Sequence, residues 1–149
     1  MKGIKIMDKV EQSIVFLLTP KSKITTLTEE NTIRQCLEKM KHYSYTAMPV
    51  LNQLGEYIGT VSEGDFLWHL LQKGEYNIEA QEDYTIHDII RITWNMPIKI
   101  DAKLEQVLIQ VMDQNFVPVV DDRGMFMGII TRKSVMQYYS NKYLQSPSA

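Results

Sequence analysis

Apolar residues change their spacing several times along the chain, and each change marks an element. Val10, Ile14, Leu17 and Leu18 recur at helical intervals, which predicts an amphipathic helix over residues 6–18. Pro20 stops it, because proline cannot continue a helix. Ile24-Thr25-Thr26-Leu27 is short and β-prone. Thr32 followed three residues later by Gln35 is a capping-box pair, and Ile33, Cys36, Leu37 and Met40 form the buried stripe of the helix it starts. Strand patterns over residues 47–51 and 57–61 flank a turn at 52–55, and the second strand runs into a helix over 65–71. Residues 72–84 carry Gly74, Glu75, Glu79, Glu82 and Asp83 and read as a solvated acidic connector. Thr85 and Asp88 then read as a second helix cap leading into Ile89 and Ile90. Ile98-Lys99-Ile100 is a short strand, and Asp101 caps a helix carrying Leu104, Val107, Leu108 and Val111. Strands over 117–120 and 126–130 surround a turn at Asp121-Asp122-Arg123-Gly124. The last helix starts near Thr131 with Val135, Met136 and Tyr139 on its apolar side, and 145–149 is a polar tail.

The second half of that pattern copies the first. Met48-Pro49-Val50-Leu51, Gly55 and Gly59-Thr60-Val61-Ser62-Glu63-Gly64-Asp65 have counterparts in Val117-Pro118-Val119-Val120, Gly124 and Gly128-Ile129-Ile130-Thr131-Arg132-Lys133-Ser134. Pro118, Gly124, Gly128 and Ser134 each follow their counterpart by 69 residues. Matching Ile33 with Leu104 and Met40 with Val111 shows the second copy two residues shorter before its first helix and two more after it. A fixed period means two copies of one supersecondary unit. A unit of roughly 60–70 residues buries only about 60% of its unfolded surface and is marginal alone. Two such units are therefore expected to share a core as one pseudo-symmetric α/β (α+β) domain.

Composition narrows the partners. Hydrophobic residues are 44% and charged residues 23% of the 149, values that fit a water-soluble globular fold. The net charge of −2 argues against a nucleic-acid binder, which needs a basic stripe. Cys36 is the only cysteine, so no internal disulfide forms, and a reducing cytoplasm is the expected compartment. No apolar run approaches the roughly 18 residues of a membrane span, and no signal peptide is visible.

The apolar-Pro-Val strand, the turn glycine and the Gly-x-apolar-Ser/Thr-x-x-Asp helix start resemble a tandem pair of CBS domains, named after cystathionine β-synthase and also called a Bateman module. The resemblance covers roughly residues 20–71 and 86–140, and no further domain stands on the chain. It divides the sequence into a leading helix (1–19), repeat 1 (20–71), an acidic linker (72–85), repeat 2 (86–140) and a tail (141–149). It implies two β-α-β-β-α repeats packed sheet to sheet, with two clefts between them for adenosine-containing ligands: AMP, ADP, ATP, S-adenosylmethionine or a cyclic dinucleotide. It implies no required cofactor, a homodimer, and regulation of a separate, unidentified protein partner. In the first cleft the resemblance assigns ribose recognition to Asp65, whose carboxylate offers two oxygens to a vicinal diol. Ser62 takes the hydroxyl position at a helix start that favours anions, and Gly64 allows close backbone approach. Tyr45, Ala47, Met48, Pro49 and Thr60 complete that cleft.

The second cleft departs from the pattern. Thr131 keeps the hydroxyl, but Ser134 replaces the aspartate, and Arg132 and Lys133 stand where the first copy has Glu63 and Gly64. Its candidate residues are Lys21, Ser22, Phe116, Val117, Pro118, Ile129, Thr131, Arg132 and Ser134, suited to a phosphate-rich ligand. The basic residue that many AMP-binding members carry before the apolar-Pro pair is absent, with Ala47 and Phe116 there instead.

The remaining candidates have structural readings. Ser62-x-x-Asp65 is itself a capping box, and Arg132 and Lys133 equally fit an exposed helix start. His42, His69 and His87 are scattered and read as surface or partly buried residues, not metal ligands. Cys36 lies on an apolar stripe and reads as core. Most of the nine methionines read as core filler, with Met125 and Met127 placed to face a dimer partner. No nucleophile, base and oxyanion set is present, so the chain reads as a non-enzyme. The leading expectation is an adenine-nucleotide sensor. The alternatives are a homodimeric scaffold with vestigial clefts and a receptor for the cyclic dinucleotide c-di-AMP.

Overall fold

The structure is a computed structural model and describes residues 13–145. Its elements, in order, are β1 (Thr19–Pro20), β2 (Leu27–Thr28), α1 (Ile33–Tyr43), β3 (Ala47–Leu51), β4 (Tyr57–Ser62), α2 (Glu63–Lys73), β5 (Ile98–Lys99), α3 (Leu104–Gln110), β6 (Phe116–Val120), β7 (Phe126–Thr131) and α4 (Arg132–Gln145). They make two small mixed sheets. In the first, β3 lies between β2 (parallel) and β4 (antiparallel). The second runs β1-β7-β6-β5, with β5 parallel to β6.

Each strand sorts its residues by the period-2 rule. Met48, Val50, Val61, Val117, Val119 and Ile130 are fully buried against the helices. Those helices add Ile33, Cys36, Met40 and Phe66 on one side and Leu104, Val107, Val111 and Val135 on the other. The result corrects one expectation, since the copies do not share a core but keep one each.

The segments that complete each core come from the far copy. Ile14 and Leu17 pack in the second core, and β1 pairs with β7, Thr19 opposite Ile129. Reciprocally, Ile86, which follows repeat 1 and its connector, packs in the first core, and Arg91 bridges Thr60. Thr60 and Ile129 are counterparts at the 69-residue period, so Arg91 occupies in the first copy the place that Thr19 occupies in the second. The glycines agree. A Cβ at Gly59 would strike Ile90, and one at Gly128 would strike Leu18 and the Thr19 carbonyl.

The two hairpins meet on the pseudo-twofold axis. Tyr57 N–H donates to the Gly124 carbonyl (3.2 Å) and Phe126 N–H donates to the Gly55 carbonyl (3.0 Å), a reciprocal pair. Asn52 Oδ1 accepts from the N–H groups of Leu54 and Glu56, and Asp121 Oδ1 does the same for Arg123 and Met125. These turns need Gly55 and Gly124 at φ +85° and +82°, a region costly for residues with a Cβ. Met125 bridges Glu56 here, within the chain, so it is a contact of the hairpin pair.

Other local expectations meet longer-range forces. Of the predicted leading helix, residues 1–12 lie outside the described residues, and Val15–Leu17 form one 3-10 turn. The chain must then extend to pair with β7, which ends any helix. The strand expected over 24–27 is Leu27–Thr28, because the register with β3 begins at Leu27 opposite Val50. The helix expected after Thr85 is the single turn Ile86–Asp88, cut short as the chain crosses to Thr60. Asp101 is not a cap: α3 starts at Leu104, where Gln106 Oε1 accepts the Lys103 N–H (2.9 Å).

The acidic connector is solvated at Glu75, Glu79, Glu82 and Asp83, as expected, but it is not all loop. It forms a turn at Glu79–Asp83 with Gln81 buried beneath it. The Gln81 amide N–H₂ donates to the carbonyls of Glu75 and Asn77, so its oxygen accepts from His69 Nε2 at 3.0 Å. His69 is therefore fully buried rather than partly so, with its ring nitrogen satisfied. Arg34 clasps Glu82 at 2.7 Å and ties the connector to α1.

Candidate functional site

A cleft of about 310 Å³ opens between the sheets beside Thr131. Its apolar walls are Ile24, Ala47, Pro49, Phe116 and Ile129, and its polar edge is Thr19, Lys23, Thr25, Tyr45, Thr46, Asn115 and Thr131. The period-2 rule explains the lining. On β3, Met48 and Val50 turn into the core, leaving Ala47 and Pro49 on the cleft side. On β6 and β7, Val117 and Ile130 do the same and leave Phe116, Ile129 and Thr131. Tyr45 is stacked on Tyr43 with ring centroids 5.6 Å apart, which holds an aromatic face at the rim.

A second groove of about 640 Å³, which includes Arg132 and Lys133, shares Asn115 and Thr131 with the cleft. Arg132 Nε donates to the Val111 carbonyl at 2.6 Å and Nη2 to Met112 at 3.5 Å, so its guanidinium sits on carbonyls at the end of α3. Five donors on a guanidinium leave others for a ligand. The Thr131 and Ser134 hydroxyls are hydrogen-bonded at 2.7 Å, and Thr131 Oγ1 accepts the Ser134 N–H at 3.1 Å. This is the forward half of a helix cap.

At the counterpart site, Ser62, the acid is already paired. Asp65, its side chain 9% exposed, reaches back to accept from the Ser62 N–H (2.7 Å) and hydroxyl (3.0 Å). Arg91 pairs with the same carboxylate, Nε to Oδ1 at 2.8 Å and Nη2 to Oδ2 at 3.3 Å. The guanidinium carbon of Arg91 lies 3.8 Å from the centre of the Trp94 ring. Beside it, Asn95 Nδ2 donates to Thr60 Oγ1 (3.1 Å), and the Tyr57 hydroxyl donates to the Asn95 carbonyl (2.8 Å). The Thr60 hydroxyl donates in turn to the Tyr57 oxygen at 2.7 Å. Burial pushes the Tyr57 phenol up to about 12.

The sequence-assigned residues are therefore redistributed. Tyr45, Ala47 and Pro49 join Phe116, Ile129 and Thr131 in one cleft. Met48 and Val117 belong to the cores, and Thr60 is buried in the Tyr57–Asn95 network. Ser62 and Asp65 are held by Arg91, while Arg132 lines the adjoining groove. Lys21 and Ser22 lie in the turn Lys21–Lys23, from which Lys23 lines the cleft. Pro118 is a buried strand residue and Ser134 sits under Thr131. Lys23, Thr25, Asn115, Arg91 and Trp94 carried no local sequence signal. The available clue was the pseudo-symmetric placement of residues 19–25 and 91–97 ahead of matching strands. Among the described residues no cluster of His, Cys, Asp or Glu is arranged to hold a metal, and no helix is long and apolar enough to cross a membrane.

Residues 15–72 and 81–141 match the CBS domain. The crystal structure of CbpB in complex with c-di-AMP is similar in fold, with a TM-score of 0.81 and 22% identity, covering 94% of this chain and 95% of that one. The crystal structure of CBSX2 in complex with AMP superposes with a TM-score of 0.72 and 20% identity, over 89% and 98%. An uncharacterized protein of Methanopyrus kandleri is 24% identical over 102 residues, 66% of this chain and 49% of its own length. The match thus spans about half of that relative.

Proposed function

The chain belongs to the CBS-domain family, and from that premise we propose that it is a regulatory receptor for c-di-AMP, bound at the Thr131 cleft. The observation that carries this reading is the adjacency of an apolar chamber and a cationic groove that share Asn115 and Thr131. One adenine fills the chamber between Ala47, Pro49, Phe116 and Ile129, with Tyr45 and Lys23 at its rim. The phosphodiesters then lie toward Arg132 and Lys133. Ser134 fits the same ligand. A 3′,5′-cyclic dinucleotide has its 3′ oxygens esterified and presents no vicinal diol, so the aspartate that a diol needs has no task here, and a hydroxyl suffices for a lone 2′-OH. The fold shared with CbpB, whose structure holds c-di-AMP, supports the choice of ligand. An AMP-type sensor is the second reading, supported by the fold shared with CBSX2.

Binding bridges both copies, so it shifts their packing, and a separate protein partner reads that shift through the differential affinity of the two states. The chain does no chemistry itself. Leu67 on α2 and Met136 on α4, counterparts at the 69-residue period, are both exposed, as are Trp68, Leu71 and Tyr143. These apolar side chains support a homodimer.

The test is isothermal titration and thermal unfolding with c-di-AMP, AMP, ATP and c-di-GMP. At about 100 times its Kd, c-di-AMP raises stability by about 2.7 kcal/mol, a shift of several degrees. Lys133→Ala and Thr131→Val weaken it. Tighter binding of AMP than of c-di-AMP selects the mononucleotide sensor. No shift with any nucleotide, in a protein that sediments as a dimer, selects the scaffold.

A further inference from the structure

The two clefts are related by pseudo-symmetry, yet a cavity opens beside Thr131 while an arginine is paired to the carboxylate at Asp65. At corresponding places the open cleft has Thr19 and the Asp65 cleft Arg91; three residues on stand Ser22 and Trp94. Arg91 brings a cation to Asp65, and Trp94 covers that cation.

A carboxylate accepts about four hydrogen bonds. Asp65 Oδ2 already accepts from the Ser62 N–H, the Ser62 hydroxyl and Nη2–H of Arg91, and Arg91 Nε lies 2.8 Å from Oδ1, so the ion pair occupies both oxygens. A ribose diol that used both oxygens would have to displace the guanidinium. The guanidinium has the planar two-pronged geometry that satisfies both carboxylate oxygens at once, which is the same geometric demand a vicinal diol makes. We infer that Arg91 is a built-in lock on the Asp65 cleft, backed by Trp94, that excludes adenosine mononucleotides and restricts ligand binding to the Thr131 cleft. This holds whichever nucleotide the Thr131 cleft takes.

A ligand entering the Asp65 cleft must wait for the lock to open. Its apparent affinity falls by the fraction of open molecules, so a lock shut in about 99 of 100 molecules weakens binding about a hundredfold. Grafting the open cleft's residues removes the lock while keeping Asp65.

Equilibrium dialysis with labelled AMP counts sites per chain independently of what the Thr131 cleft does. The full chain carrying Arg91→Thr and Trp94→Ser is expected to gain one AMP site, with apparent affinity at least about tenfold above any Asp65-cleft binding in the native chain. Adding Asp65→Asn removes the gain. A variant that keeps the native far-ultraviolet dichroism and gains no site overturns the inference. A second measurement needs no change at the lock. Trp68 and Trp94 are the only tryptophans, and Trp68 is exposed, so Trp68→Phe leaves Trp94 as the sole emitter. Millimolar AMP leaves its emission unchanged if the lock holds. A saturable change that Asp65→Asn abolishes means the cleft admits AMP with Arg91 in place, and the inference fails.

Discussion

Cys36 and Tyr57 are two buried acids whose neutral forms the fold prefers. Burial pushes the Cys36 thiol from its ordinary 9.0 up to about 12, and the Tyr57 phenol from 10.0 up to about 12. Each folded-state pKa is raised, so the native state holds these protons more tightly than the unfolded chain. Their contribution is fully present below pH 9 and is lost as pH climbs toward 12. Guanidinium unfolding midpoints are therefore expected to show no loss from these two groups between pH 7 and pH 9, and a decline from pH 9 to pH 12. In the native protein at pH 8, Cys36 stays silent toward a thiol reagent and reacts only after unfolding. A fast native reaction would show that the thiol is not sealed in the first core.

Among the elements, β1 is the one whose place depends most on a single atom's absence. It lies against Gly128 so closely that any Cβ there would run into the Thr19 carbonyl oxygen, which is backbone and has no flexible end to yield. Gly128→Ala is expected to destabilise the protein by about 1–3 kcal/mol, the usual cost of overpacking, read as a lower urea midpoint. It also draws Thr19 and Lys23 away from the cleft and weakens c-di-AMP binding. An unchanged midpoint and affinity would show that β1 is dispensable. The same strand shows what the sequence could and could not tell. The hairpins were legible because their turns are local: Asn52 or Asp121 caps the turn and a glycine closes it. The capping pair Thr32 and Gln35 was legible for the same reason, and both its hydrogen bonds form. The path of residues 14–25 was not legible, since β7, which fixes it, lies far along the chain. So no local pattern assigns Lys23 and Thr25 to the cleft, and Arg91, in an unpatterned stretch, has none that matches it to Asp65.

At the scale of the molecule, the exchange of Ile14 and Leu17 for Ile86 makes each copy complete the other's core. Neither half contains all of its own hydrophobic set. Fragments 1–75 and 76–149 are each expected to be unfolded alone and to regain native dichroism when mixed. The intact chain is expected to unfold in one transition by tryptophan emission and by dichroism. Two separated transitions, or a fragment folded by itself, would show that the copies are independent.

Crossing segments of this kind are how two identical chains would interlock in a domain-swapped pair, and here one covalent connector joins both partners. That join changes the assembly from bimolecular to unimolecular, so the fold is indifferent to dilution. It also breaks a constraint on divergence. In a symmetric pair of single-copy chains, a substitution beside one cleft is made beside the other as well, and an arginine that plugs one plugs both. With the copies on one chain, position 91 is arginine where position 19 is threonine, and position 65 holds a carboxylate where position 134 does not. Two copies on one chain are thus free to differ, with Arg91 paired to Asp65 on one side and a cleft open beside Thr131 on the other.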